Sequence, residues 1–241
     1  AYPTVSNLLS TAASVGLADG VADFATEARS TGRAFRVDEL NSSACGGAAG
    51  VSDTFASALW VTDTLFALAS QGVSGVNIQD FKSSVYKPFG VSRIRGIWTA
   101  RVFPLYYGLL LFSRAAPAGS TLLSVRTAGA QNVTAWAART PARPGTPGRE
   151  TVTLINHSTT RAETVAIRVP GAGTTATLSR MLAPRADSQT GVTLAGQSYG
   201  AMTTTGQLTG SLTATTLAPA SGDTYEMTLS PASAALLTVA R

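Results

Sequence analysis

At 241 residues the chain has room for one large domain or two ordinary ones, and for a sizeable core in either case. Only 13% of the residues are charged, against about 25% in a typical soluble domain, while 44% are hydrophobic; this describes a folded chain and excludes a disordered one. The net charge of +5 sits on scattered arginines, with Lys82 and Lys87 the only lysines, and no basic run or basic-aromatic stripe suggests a nucleic-acid surface.

Residues 6–31 read as helical, because Leu8, Leu9, Ala12 and Val15, then Val21, Phe24 and Ala25, fall at helical spacing around a break at GLADG. AFRVDEL (34–40) reads as a strand and NSSACGGAAG as a loop, with Ser52 expected to cap a helix that carries Asp53 in its first turn. Phe55, Leu59, Leu65, Phe66 and Ala69 continue that helix to a stop at Gly72. VSGVNIQDF (73–81) is a second strand. After a loop holding Tyr86 and Pro88, residues 96–115 are expected to form a helix whose first turns Pro104 bends. This alternation predicts an α/β layer with parallel strands. Its longest apolar run, VFPLYYGLLLF (102–112), is too short to span a bilayer, so no membrane partner is expected.

Beyond Pro117 the pattern changes to short Thr- and Val-rich runs: NVTAWAA, ETVTLINH, ETVAIRVP, TATLSRML, GVTLAG, YEMTLS and SAALLTVA. Gly and Pro turns separate them, and RTPARPGTPGRE (139–150) is a long turn. Strands at this spacing predict an antiparallel β-sandwich. Two domains are therefore expected, 1–117 and 118–241.

Several chemistries find little support. GQSYG (196–200) satisfies G-x-S-x-G, but no helix signal follows it, and His157, the only histidine, precedes it in the sandwich. Cys45 lacks an activating neighbour and reads as an inert, buried or half-buried thiol. One His and one Cys offer no zinc-ligand spacing, so neither metal nor cofactor is expected. The sequons at Asn41, Asn132 and Asn156 are short enough to arise by chance, and the compartment stays open, with export compatible.

In a chain so poor in acids, Asp38 and Glu39 stand out at a strand end, where α/β barrels build their active sites. Strand alternation sends the two to opposite sides. Spacing alone favours a helix-capping or salt-bridged surface acid. Asn41, Ser42 and Ser43 add polar groups to the loop, and Gly46 and Gly47 let backbone N–H groups approach a ligand.

The stretch from Asp38 to Gln79, with an acid, any residue, Asn-Ser, a glycine-rich turn and then GVSDTFASALW (50–60), resembles the nucleophile strand, loop and helix of glycoside hydrolase family 79, the β-glucuronidase and heparanase-like enzymes. The resemblance runs on through VFPLYYGLLLF into GVTLAGQSYG and PASAALLTVA, so it covers nearly the whole chain. It implies an α/β plus all-β chain: part of a (β/α)8 TIM barrel, about strands seven and eight with flanking helices, followed by the sandwich. It also implies a retaining β-glycosidase that uses an acid/base Glu after strand four and a nucleophilic Glu at the end of strand seven, here Glu39. Two carboxyl groups about 5–5.5 Å apart perform such double displacement.

By the same resemblance Tyr2, Asn41, Gly46, Gln79 and Tyr86 fall among the residues around the sugar. Ala44 stands where glucuronide-cleaving relatives carry an aromatic. The chain opens in what resembles the end of strand six, so the acid/base glutamate is not among its residues and the chain alone is expected not to hydrolyse glycosides. Self-association through the open barrel edge would cover the exposed strands. The alternative is a non-catalytic carbohydrate-binding or structural module derived from such an enzyme.

Overall fold

The computed structural model describes residues 2–129, 132–172 and 175–241. The expected first helix is three: α1 (Val5–Leu8), α2 (Thr11–Asp19) and α3 (Ala22–Ser30). Ser10 and Gly20 interrupt it, each at the cap of an element. Strand β1 (Arg36–Leu40) follows, then the glycine-rich loop, then α4 (Phe55–Ser70) and β2 (Gly75–Ile78), which pairs with β1 in parallel as expected.

Helix α4 is buried on almost every side and is the axis of the first half. Its N-cap position is Thr54, not Ser52, and the Thr54 side chain makes no capping bond; Ser52 instead accepts from the Ala48 N–H (3.0 Å), and Asp53 precedes the helix instead of lying in its first turn. The first two N–H groups of α4 donate to carbonyls far away in sequence, Phe55 to Ser188 and Ala56 to Ala186, both at 2.8 Å. Asp53 accepts from Gly50 N–H and from the Gln189 amide. The other end closes as the sequence predicts. Gly72 takes φ +85°, and Gly72 and Val73 donate to the Ala69 and Leu68 carbonyls, the paired pattern of a Schellman stop.

The largest correction concerns residues 89–103. They form an antiparallel hairpin, β3 (Phe89–Ile94) and β4 (Ile97–Val102), whereas a helix was expected to begin at residue 96. Arg95 and Gly96 make its turn with φ of 48° and 85°, the left-handed pair that a two-residue hairpin turn requires. Helix α5 (Pro104–Ala115) begins only afterwards, and Pro104 starts it at the first position instead of bending it. Gly108 lets α5 approach α4 closely: a Cβ there would lie 2.2 Å from the Ala58 carbonyl oxygen.

The β-rich half holds β5 (Thr121–Leu123), β6 (Val133–Thr140), β7 (Arg149–Asn156), β8 (Glu163–Arg168), β9 (Ala176–Leu182), β10 (Thr193–Leu194), β11 (Thr215–Leu217), β12 (Thr224–Leu229) and β13 (Ser233–Ala240). All its pairings are antiparallel. A seven-stranded sheet runs β10-β9-β13-β7-β6-β5, with β11 also on β9, and β12 and β8 form a separate two-stranded sheet. Period-two alternation assigns the two faces of the large sheet. Val152, Leu154, Leu178, Ala235 and Leu237 meet the small sheet, while Ile155, Met181, Ala234 and Leu236 join the core of α4 and α5. Strand β7 is covered on both sides, so nearly all of it is buried.

A buried polar knot fastens the helices to this sheet. Asp63 of α4 is wholly inaccessible. Its carboxylate accepts from Ser14 Oγ (2.6 Å), Thr134 Oγ1 (2.9 Å) and Trp136 Nε1 (2.7 Å). The Thr134 hydroxyl spends its proton on Asp63 and so accepts from His157 Nε2 at 2.9 Å, which fixes the imidazole tautomer. Burial lowers the His157 pKa, and the Asp63 charge opposes that shift.

Candidate active site

The two parallel strands end on the same side, and their loops border an open, shallow pocket of about 500 Å³. Glu39, Gly46, Gln79 and Tyr86 all line it, brought together from the end of β1, the loop after it, the end of β2 and the turn beyond. Between Val37 and Leu40 the register slips: three steps along β1 match two along β2, from Val76 to Ile78. This is a β-bulge at Asp38 and Glu39. It breaks the strict alternation expected from the sequence, and such bulges re-aim side chains beside functional sites.

Backbone conformation explains the loop composition. Cys45, Gly46 and Gly47 all take positive φ, 56°, 86° and 95°. Gly47 lies so close to the next segment that a Cβ would meet Tyr86 Cδ1 at 3.0 Å. The Val85 N–H donates to the Gly46 carbonyl (2.7 Å), which pins the loop against the wall that carries Tyr86. The Tyr86 hydroxyl donates to Gln79 Oε1 at 3.0 Å, and Phe81 packs edge-on against its ring. Burial raises the Tyr86 pKa, and the negative charge of Glu39 raises it further. The phenol therefore stays a proton donor beside the carboxylate.

Two expected residues lie elsewhere. Tyr2 is 93% exposed and is not among the pocket residues. Asn41 is half-buried outside the lining, and both polar atoms of its side chain are buried without a hydrogen-bond partner. Conversely, Cys45, Gly47, Phe81, Ser83 and Val85 line the pocket and were not among the expected sugar contacts. Cys45 is exposed there rather than buried, because the turn of the loop presents it outward. The only signal for these residues was their position in the same two loops. Among the described residues no group of His, Cys, Asp and Glu could hold a metal ion, and no helix is long and apolar enough to cross a membrane.

The pocket offers one carboxylate, one buried phenol with its amide partner and a glycine loop with accessible backbone. That set can present a nucleophile or a hydrogen-bond acceptor to a polyol. Ser198 of the G-x-S-x-G stretch has no such setting: the chain after Gly200 is not helical, and Tyr199 is an anchor whose N–H donates to the Tyr107 hydroxyl (2.9 Å).

The fold recurs in solved glycoside hydrolases. A family 51 arabinofuranosidase from Xanthomonas axonopodis pv. citri is similar over 99% of this chain and 48% of its own, with 13% identity and a TM-score of 0.64. A thermostable family 51 α-L-arabinofuranosidase from Thermotoga petrophila RKU-1 is similar over 93% of this chain and 47% of its own, with 16% identity and a TM-score of 0.62. A family 44 xyloglucanase from Paenibacillus polymyxa covers 87% of this chain and 32% of its own, with 13% identity and a TM-score of 0.53. The chain thus spans about half or less of the length of these structures, and at such identities the likeness is one of fold. No curated protein matches the chain. The β-rich half carries the more specific match: residues 131–236 fit the family model of the glycosyl hydrolase family 79 C-terminal beta domain, the family that the motifs resemble.

Proposed function

We propose that residues 1–117 form the nucleophile-bearing part of a retaining β-glycosidase barrel, that 118–241 form its accompanying β-sandwich, and that Glu39 is the nucleophile. The observation that carries this is the convergence of Glu39, Gly46, Gln79 and Tyr86 on one pocket at the ends of two parallel strands. Glu39 attacks the anomeric carbon, the bond to the leaving oxygen breaks, and water later releases the sugar from the glycosyl ester. The Tyr86 phenol and the loop backbone donate hydrogen bonds to the sugar or to the attacking carboxylate. The substrate class is a β-glycoside, with glucuronides the first to try.

A second reading, a non-catalytic carbohydrate-binding module, is favoured by one observation. Glu39 is the single carboxylate lining the pocket, whereas retention uses two. One experiment separates the readings. A 2,4-dinitrophenyl 2-deoxy-2-fluoro-β-glucuronide has a leaving group that needs no proton and a glycosyl ester that hydrolyses slowly. Incubated with the chain, it is expected to add one fluoroglucuronosyl mass to the peptide bearing Glu39, and none in Glu39→Gln. Binding of the compound without any adduct, or an adduct elsewhere, would reject the nucleophile and favour the module.

A further inference from the structure

The hairpin of β3 and β4 leaves the pocket wall just after Tyr86 and makes little contact with any other element. Its base is packed on both faces: Phe89 meets the Tyr106 ring edge-on on one, and Phe103 lies over Gly90 on the other. Farther out, a single bridge from Ala100 to Thr203 ties it to the rest of the chain. A lone two-stranded hairpin is marginally stable, and apolar side chains that face water add nothing to it. Yet among the described residues five of the eleven exposed large hydrophobic side chains lie on this one hairpin. Four of them, Val91, Ile94, Ile97 and Trp98, sit beyond the base and are 45–64% exposed. Cross-strand pairing and alternation put Val91 and Trp98 on one face and Ile94 and Ile97 on the other, so the outer end is apolar on both sides.

The charge around it has one sign. No Asp or Glu occurs between Asp80 and Glu150, a span that holds ten of the chain's 18 basic residues. On the hairpin Arg93, Arg95 and Arg101 are exposed and meet no carboxylate among the described residues. Arg93 donates to the Gly96 carbonyl (3.0 Å), and Arg101 lies over the Phe103 ring. The occupant must therefore be anionic and must meet apolar side chains on two opposite faces. A sugar stacks on a flat aromatic face, whereas here Trp98 is the single ring among β-branched side chains. A folded partner would have to wrap both faces of a ribbon. A lipid interface closes around a tip from every side, favours Trp at headgroup level and attracts arginine through its phosphates.

We infer that the outer end of this hairpin docks on the surface of an anionic phospholipid bilayer, with Ile94, Ile97 and Trp98 entering the headgroup region and Arg93 and Arg95 held at the level of the phosphates. The outer edge of β3 pairs with no strand among the described residues, and its peptide groups must stay hydrated, so insertion is shallow. This is attachment to one leaflet and needs no spanning segment. The inference is independent of the role of Glu39.

The test uses the 241-residue chain with vesicles of phosphatidylcholine containing about 30% phosphatidylglycerol, and with pure phosphatidylcholine vesicles as the control. Trp98 is the one exposed tryptophan of three, so a blue shift of emission reports its entry into lipid. Co-sedimentation is expected to show partition at least tenfold stronger onto the anionic vesicles, with that shift. Ile97→Ser combined with Trp98→Ser should weaken it at least tenfold. Arg93→Gln combined with Arg95→Asn should weaken it at least fivefold and flatten its salt dependence, asparagine being tolerant of the φ of 48° at that turn. These side chains are exposed, so the urea midpoints should match the parent's. Five results would overturn the proposal. No partition onto anionic vesicles is the first, and partition that the Ile97 and Trp98 substitutions leave unchanged, which is adsorption by charge alone, is the second. A dimer in sedimentation that Trp98→Ser disperses would make a second copy the occupant. A saturable shift of emission with soluble polygalacturonate, but not with vesicles, would make it an acidic glycan. Shielding of Trp98 from acrylamide in the complete gene product without vesicles would make it another part of that protein.

Discussion

Replacing Asp63 by alanine would strip the shared acceptor from three donors in a space that water does not reach. Ser14, Thr134 and Trp136 would each be left unmet, and a buried donor without a partner costs about 1–3 kcal/mol. The simple sum overstates the loss. The two hydroxyls can rotate, and Thr134 still has His157 within reach, whereas the indole N–H of Trp136 is fixed by its ring. Removing the carboxylate also removes the cost of burying it. A net loss of about 3–5 kcal/mol follows, in line with breaking one side of a buried charged network. Asp63→Asn should cost only about 1–2 kcal/mol, because its amide oxygen can still accept from Thr134 and Trp136. Urea unfolding followed by tryptophan emission measures both, and Trp136 reports on the knot directly. An alanine variant within about 1 kcal/mol of the parent would refute the knot as the fastening between helices and sheet. Equal losses for alanine and asparagine would assign the effect to charge instead of hydrogen bonding.

Burial holds the folded-state pKa of His157 below its ordinary 6.5, so the unfolded chain binds the extra proton first as pH falls. Stability should therefore decline as pH drops below 6.5, and His157→Gln should flatten that part of the curve in urea titrations at successive pH values. For Glu150, burial pushes the pKa up, but hydrogen bonds from Arg241 and Arg139 more than offset it, leaving it below 4.5. Its contribution is present above 4.5 and lost as pH falls through the lowered value, so Glu150→Gln should lower stability at pH 7 and remove this acid sensitivity, as read by thermal melts between pH 7 and 3. Gly108→Ala should destabilise by roughly 1–3 kcal/mol despite the better helix propensity of alanine, because α4 and α5 must move apart; a neutral or stabilising result in urea would show that they separate without cost.

The helix of 55–70 was legible because its apolar residues, its C-terminal glycine and its length agree. Its cap was not, since the partners of its first N–H groups come from residues 186 and 188 and no local pattern announces them. The hairpin of 89–102 was misread for a definite reason. The expected helix was begun at residue 96, but Ile97, Trp98 and Val102 are strand residues of a hairpin, and Ile97 and Trp98 stay exposed, Trp98 by 64%. The Arg95-Gly96 turn, with β-branched Ile97, Thr99 and Val102 after it, was the signal that should have placed a strand there instead. At the pocket, the strand end and the glycines pointed to the two loops that line it. The sequence carried no sign of the bulge at Asp38 and Glu39, because a register slip depends on the partner strand. Tyr2 was assigned by motif position and Asn41 by motif position and its place in the polar loop, which locate a residue along the chain but do not orient its side chain.

The carbonyls of Ala186 and Ser188 that receive the first N–H groups of α4 have a bearing on inheritance. A helix whose opening turn is completed by a distant loop cannot be grafted without that loop. A recombination event that joined the segment carrying α4 to a foreign β-rich partner would leave two buried donors of α4 unmet, unless the newcomer supplied carbonyls at the same place. The two halves are thus expected to descend together, with the 183–189 loop varying in step with the start of α4, however freely the outer strands diverge.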